Sequence, residues 1–286
     1  MKNLFNLGKW CITLAAAMFV AGSAVAQVTH VVNEGEVVVN SHFATPTPMD
    51  TKDSVDVYGG QFANGIADFD GHEIANVTVF GGAARNERGS SVTGLVDVKG
   101  GEFGNYGTVA DATMSGGTIR NTGTIVGNMT YIAGDFFGAG GNIGTLALGG
   151  DAGTTNFGTV KNLSFASNGE GLMTVNGFVG DVSKGGLNFV PNMSVSAVDL
   201  EYGNITLNLT GTISEGASFT LLDLFGTADV FGTLASLTIG EQRFDNVRGG
   251  DLFTYTGDGW VVPEPATLAI IGLGLAGLGL ARRRRS

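Results

Sequence analysis

Few side chains in this 286-residue chain are of the kind that does chemistry. Its three histidines, His30, His42 and His72, all lie in the first third, and its one cysteine is Cys11. No Gly-x-Ser-x-Gly elbow, His-Glu-x-x-His pair or Walker loop occurs, so the usual signatures of a serine hydrolase, a zinc protease and a nucleotidase are missing. The richest local constellation is Asp68-Phe69-Asp70-Gly71-His72-Glu73. Asp68, Asp70 and Glu73 around a glycine turn could offer oxygen ligands to calcium. The string matches only a fragment of an EF-type loop and lacks the distal Glu. Without a metal it reads as a solvated loop. Asp50, Asp53 and Asp56 form a second acidic stretch. Asp56 and Asp97 also share one position of a repeated Val-Asp-Val string, where Thr78 and Thr113 stand in other copies. Such a ladder could meet a carbohydrate or a cation, or be ordinary outward alternation.

What must position these residues is a repeat. Val55-Asp56-Val57-Tyr58-Gly59-Gly60 recurs as Val77-Thr78-Val79-Phe80-Gly81-Gly82, as Val96-Asp97-Val98-Lys99-Gly100-Gly101 and as Ala112-Thr113-Met114-Ser115-Gly116-Gly117. Looser copies start at Met129, Leu146 and Leu163, so the starts are 22, 19, 16, 17, 17 and 17 residues apart. A second string runs out of phase with the first: Asn105-Tyr106-Gly107-Thr108-Val109, Asn121-Thr122-Gly123-Thr124-Ile125, Asn142-Ile143-Gly144-Thr145-Leu146 and Asn156-Phe157-Gly158-Thr159-Val160. Alternating apolar residues indicate half-buried strands, and Gly marks corners that need positive φ. A coil of this length cannot bury its apolar edge alone. Stacking coils about 4.8 Å apart builds a continuous core. The expectation is an all-β chain, a parallel β-helix or β-solenoid over residues 55–186, with an antiparallel sandwich as the alternative. Helices are not expected in the body, because Gly interrupts nearly every stretch. Residues 27–54, with His42, Pro46 and Pro48, read as an irregular N-terminal cap. Residues 187–261 read as a C-terminal strand region with strands at 194–198, 205–209, 219–225 and 234–239.

Composition agrees. Glycine contributes 48 residues and proline five, with no three-residue period, which excludes collagen. Net charge is −11, but residues 27–281 carry 9 bases against 26 acids, a balance of −17. That surface repels nucleic acid and anionic lipid, so no nucleic-acid partner is expected. Both ends differ from the body. Residues 1–26 combine Lys2 and Lys9, an apolar run over 10–20 and Ala24-Val25-Ala26 before Gln27. This is the pattern of a signal peptide cut after Ala26, which implies the export translocon and signal peptidase as partners. The cut removes Cys11, so neither a disulfide framework nor a Cys nucleophile is expected. At the other end stands the stiff Val262-Pro263-Glu264-Pro265. An uncharged stretch over 266–281 follows, then Arg282-Arg283-Arg284-Arg285. As a transmembrane helix the stretch spans about 24 Å, short of the roughly 30 Å hydrocarbon core. Snorkelling arginines cover the difference. Four Arg on one side hold that end in the cytoplasm.

This tripartite tail, residues 262–286, closely resembles the PEP-CTERM sorting signal of Gram-negative bacteria. The resemblance implies recognition by an exosortase, a membrane-embedded transpeptidase, with cleavage near Pro263-Glu264-Pro265. The tail then acts as substrate, from an inner-membrane intermediate to the cell surface or extracellular matrix, in the company of exopolysaccharide and biofilm. The same tail is also described as an ice-binding protein C-terminal domain, a label that describes the tail alone. The body loosely resembles the β-helical repeats of autotransporter and haemagglutinin-type adhesins. The expected function is a structural or adhesive surface protein with no catalysis and no cofactor, calcium apart. The alternatives are a carbohydrate-active β-helix enzyme and an ice-binding solenoid.

Overall fold

The computed structural model describes residues 28–40, 49, 51–65, 71–138, 140–180, 187–190, 193–226 and 229–262. One long sheet runs through them. Its strands stack in chain order: Thr29–Val32, Ser54–Val57, Asn76–Val79, Ser91–Val98, Thr108–Met114, Thr124–Tyr131, Asn142–Leu148, Gly158–Phe165, Met193–Asp199 and Asp229–Phe231. Every pair in that series is parallel. Between consecutive strands the chain crosses to a second parallel sheet, formed by Val37–Asn40, Gln61–Asn64, Ala83–Asn86, Glu102–Asn105, Thr118–Asn121 and Asp135–Phe137. A third sheet then takes over, with Asp151–Gly153, Leu172–Val179, Asn204–Thr210 and Thr233–Ile239 in parallel. The described body is all-β with stacked parallel sheets, as a β-solenoid requires. Closure comes from antiparallel pieces: Gln242–Arg248 on Thr233–Ile239, and a fourth sheet of Ser218–Phe219, Phe253–Tyr255 and Trp260–Val261. Gln242–Arg248 covers an edge of Thr233–Ile239 that would otherwise offer unpaired backbone.

The repeat read from the glycine pairs is the register of the long sheet. Val55 sits beside Val77, Val77 beside Val96 and Val96 beside Ala112. Met129, Leu146, Leu163 and then Val198 continue the column. All of them are buried. A full burial of such a side chain is worth about 1.5–3 kcal/mol, and stacking repeats it at every rung. The corner glycines follow from that stacking. Gly101 adopts φ +66°, and a Cβ there would lie 2.5 Å from the carbonyl oxygen of Gly82 one coil away. Both the left-handed backbone and the missing side chain are needed.

A polar column runs inside the apolar one. Asn40, Asn64, Asn86, Asn105 and Asn121 close the strands of the second sheet and are essentially inaccessible to water. Each side-chain amide donates to the next: Asn40 Nδ2 to Asn64 Oδ1 at 2.8 Å, Asn64 to Asn86 at 3.0 Å, Asn86 to Asn105 at 3.0 Å and Asn105 to Asn121 at 2.8 Å. Asn64 and Asn86 also donate to the carbonyls of Ser91 and Thr108, both at 3.0 Å. Buried amides survive because they satisfy one another. At the N-terminal end Asn40 Oδ1 is buried with no donor among the described residues.

The structure corrects the sequence reading in three places. Residues 29–40 form coil strands, with Val32 beside Val57 and Asn40 beside Asn64, so stacking begins before residue 55. Leu221–Phe225 is a short α-helix where a strand was expected. Thr220 Oγ1 accepts from the Asp223 amide, and the Asp223 carboxylate accepts from the Thr220 amide. This capping box, with Leu221, Leu224 and Phe225 at helical spacing, outweighs the local strand pattern. Asn142 is also out of phase: it is exposed and pairs with Thr124. His42, Pro46 and Pro48 lie outside the described residues.

Candidate functional site

The expected Asp/Thr ladder exists as one outward column of the long sheet. Asp56 neighbours Thr78, Thr78 neighbours Asp97, Asp97 neighbours Thr113, and Thr130, Ala147 and Ser164 follow. Asp56 and Asp97 are two rungs apart, about 9.6 Å at the usual strand spacing. Beside this column, at the corner, the exposed rings of Tyr58 and Phe80 stack with centroids 4.5 Å apart and planes 3° from parallel. Lys99 Nζ lies 5.0 Å from the Phe80 ring centroid and 3.2 Å from Asp97 Oδ2. The result is a flat wall of mixed polar and aromatic side chains, one residue per rung.

The acidic loops do not gather there. Glu73 is exposed on the two-residue strand Glu73–Ile74, while Asp68, Asp70 and Asp50 lie outside the described residues. Asp53 faces inward: it is buried, its Oδ2 is 3.0 Å from His30 Nε2, and its Oδ1 accepts from the Val28 amide at 3.2 Å. His72 is buried too, and its carbonyl accepts from Asn64 Nδ2 at 3.3 Å. Among the described residues no three His, Cys, Asp or Glu side chains are placed to hold a metal ion.

The tail leaves the body through the fourth sheet. Trp260 is buried, with its ring edge-on to Phe219 at 5.2 Å and tilted against Tyr255 at 5.5 Å. Gln242 grips the backbone of Trp260 on both sides. Its Oε1 accepts from the Trp260 amide at 2.7 Å, and its Nε2 donates to the Trp260 carbonyl at 3.3 Å. Val261 completes the strand, and Val262 packs half-buried against the core. Folded structure therefore continues to within one residue of Pro263. No sequence signal pointed to Gln242, since its role depends on a contact 18 residues distant. Pro263, Glu264, Pro265 and Arg282, Arg283, Arg284 and Arg285 lie outside the described residues, as do Ala24 and Ala26. Among the described residues no helix is long and apolar enough to cross a membrane.

Residues 261–285 match the PEP-CTERM protein-sorting motif. No curated protein and no solved structure matches the chain. The match begins at Val261, inside the last strand, so the motif is fused to the folded body with no intervening linker. Residues 261–285 thus carry the PEP-CTERM sorting motif, and with it the address of an exported protein of Gram-negative bacteria that is sorted by an exosortase.

Proposed function

We propose that the body is a structural and adhesive element of the cell surface or extracellular matrix, associated with exopolysaccharide, and that it works without catalysis or a cofactor of its own. The observation that carries this reading is the direct fusion of a long parallel stack to the sorting motif. A stack of coils presents one side chain per rung at about 4.8 Å, which suits repeated weak contacts with an extended chain. The mixed order Asp56, Thr78, Asp97, Thr113, Thr130, Ala147, Ser164 supports this reading over an ice-binding one, because it is not a uniform threonine array. In the proposed sequence, the translocon and signal peptidase deliver the chain and the tail holds it briefly in the inner membrane. The exosortase then cuts near Pro263-Glu264-Pro265. Replacing these three residues by Ala is expected to hold the full-length form in the inner-membrane fraction. Release to the surface at the wild-type rate would overturn the sorting step.

A further inference from the structure

The second sheet stops at Asp135–Phe137, and the third starts at Asp151–Gly153 without pairing to it. At that break lies an open cleft of about 520 Å³, within the size range of small-ligand sites. Its floor is built from rings. Phe136 is buried and stacks on Phe157 at 5.1 Å, and Tyr131 meets Phe157 edge-on at 5.3 Å. The Tyr131 hydroxyl donates to the Gly134 carbonyl at 2.7 Å, which fixes the ring. The rim is polar: Asp135, Asp151, Thr154 and Asn156 are exposed, and Phe137 is 49% exposed.

Among the described residues the lining holds two carboxylates and no basic side chain. Arg120 packs on Phe137, 4.7 Å from its ring centroid, but its Nε is held by Glu102 Oε1 at 2.9 Å. Asp135 and Asp151 both line this cleft, and both raise the Tyr131 hydroxyl above its ordinary pKa, after burial itself. The ligand that fits is cationic, has an apolar face for an aromatic ring, and has hydroxyls for Thr154 and Asn156. A bare metal ion would waste the rings and find too few oxygens.

We propose that the cleft between Asp135–Phe137 and Asp151–Gly153 binds an amino-sugar residue of a polysaccharide. Its ammonium lies between Asp135 and Asp151, and its C–H face lies against Phe137. The inference rests on the reading of the body as an exported protein that meets polysaccharide, and it gives that contact a location and a charge preference. The acidic body draws such a cationic chain toward itself.

The test is calorimetric titration of the purified full chain in detergent with a glucosamine hexamer, its fully N-acetylated counterpart and hexalysine. The glucosamine hexamer is expected to bind, and more weakly at high salt. Both controls are expected to bind at least about tenfold more weakly, a difference of about 1.4 kcal/mol. The Asp135→Asn/Asp151→Asn double variant should lose about tenfold in affinity for the glucosamine hexamer. Asn at 151 retains an oxygen for the Gly153 amide, which Asp151 Oδ1 accepts at 2.8 Å, and circular dichroism verifies the fold. Phe137→Ala should weaken binding separately. Equal affinity for the acetylated hexamer or hexalysine, an unaffected double variant, or no binding to the glucosamine hexamer would each overturn the proposal. None of these outcomes bears on exosortase sorting, which the membrane-fraction experiment decides alone.

Discussion

Asn86→Ala probes the buried amide column at its centre. The substitution removes three hydrogen bonds: from Asn64 Nδ2 at 3.0 Å, to Asn105 Oδ1 at 3.0 Å and to the Thr108 carbonyl at 3.0 Å. At about 1 kcal/mol net for each, the loss is about 3 kcal/mol before any cavity is counted. Asn64 keeps a carbonyl partner in Ser91, and Asn105 Oδ1 keeps the Gly107 amide at 3.2 Å, so neither neighbour is stranded outright. For a body of this size about 3 kcal/mol corresponds to roughly 6–12 °C in melting temperature. Asn86→Asp should cost more, since a carboxylate would face the Asn105 oxygen and the Thr108 carbonyl with no donor to offer. The assay is urea unfolding followed by far-ultraviolet circular dichroism, with Asn156→Ala as the control. Asn156 is exposed, outside the column, and its Oδ1 accepts from the nearby Gly158 amide at 2.8 Å. If Asn86→Ala and Asn156→Ala shift the midpoint equally, the column contributes nothing beyond ordinary turn capping and the reasoning fails.

Two further outcomes follow from the contacts described. Gln242→Ala removes both bonds to the Trp260 backbone and should cost about 1–2 kcal/mol; the only other tryptophan is Trp10, so in the processed protein a red-shifted emission reports loosening of the last strand, and an unchanged spectrum would refute the grip. Tyr131 has its pKa raised chiefly by burial. Its folded pKa exceeds the unfolded one, so its contribution is fully present below about pH 10 and is lost as pH rises through the folded value. Alkaline melting should therefore be steeper for the wild type than for Tyr131→Phe, and identical alkaline profiles would contradict it.

The residues explain which features were legible in sequence. Glycine pairs are visible because stacking forbids a side chain at the corner, so aligning them recovered the register from Val55 to Leu163 across every coil. The amide column was half visible. Asn105 and Asn121 open an Asn-x-Gly-Thr string, but Asn40, Asn64 and Asn86 lack that flag and share only the alternation of the strand before them. The same flag misled at Asn142, where the Asn-x-Gly-Thr string occurs three places out of phase. Residues 221–225 satisfy two patterns at once, and the choice was made by the Thr220–Asp223 bonds, which periodicity does not register. The cleft was invisible, because it arises where one sheet gives way to another. The sorting motif was fully legible, being a linear string read by another protein rather than by this fold.

The fourth sheet has a mechanical meaning. In the proposed membrane-held intermediate, any drag on the exported body would pass through Trp260 and Val261. Force there enters a small antiparallel patch, held by two backbone bonds from Gln242 and by the rings of Phe219 and Tyr255. The long parallel stack lies behind that patch. On that proposed route the closing sheet, not the parallel stack, is the first structure that tension from the tail would meet.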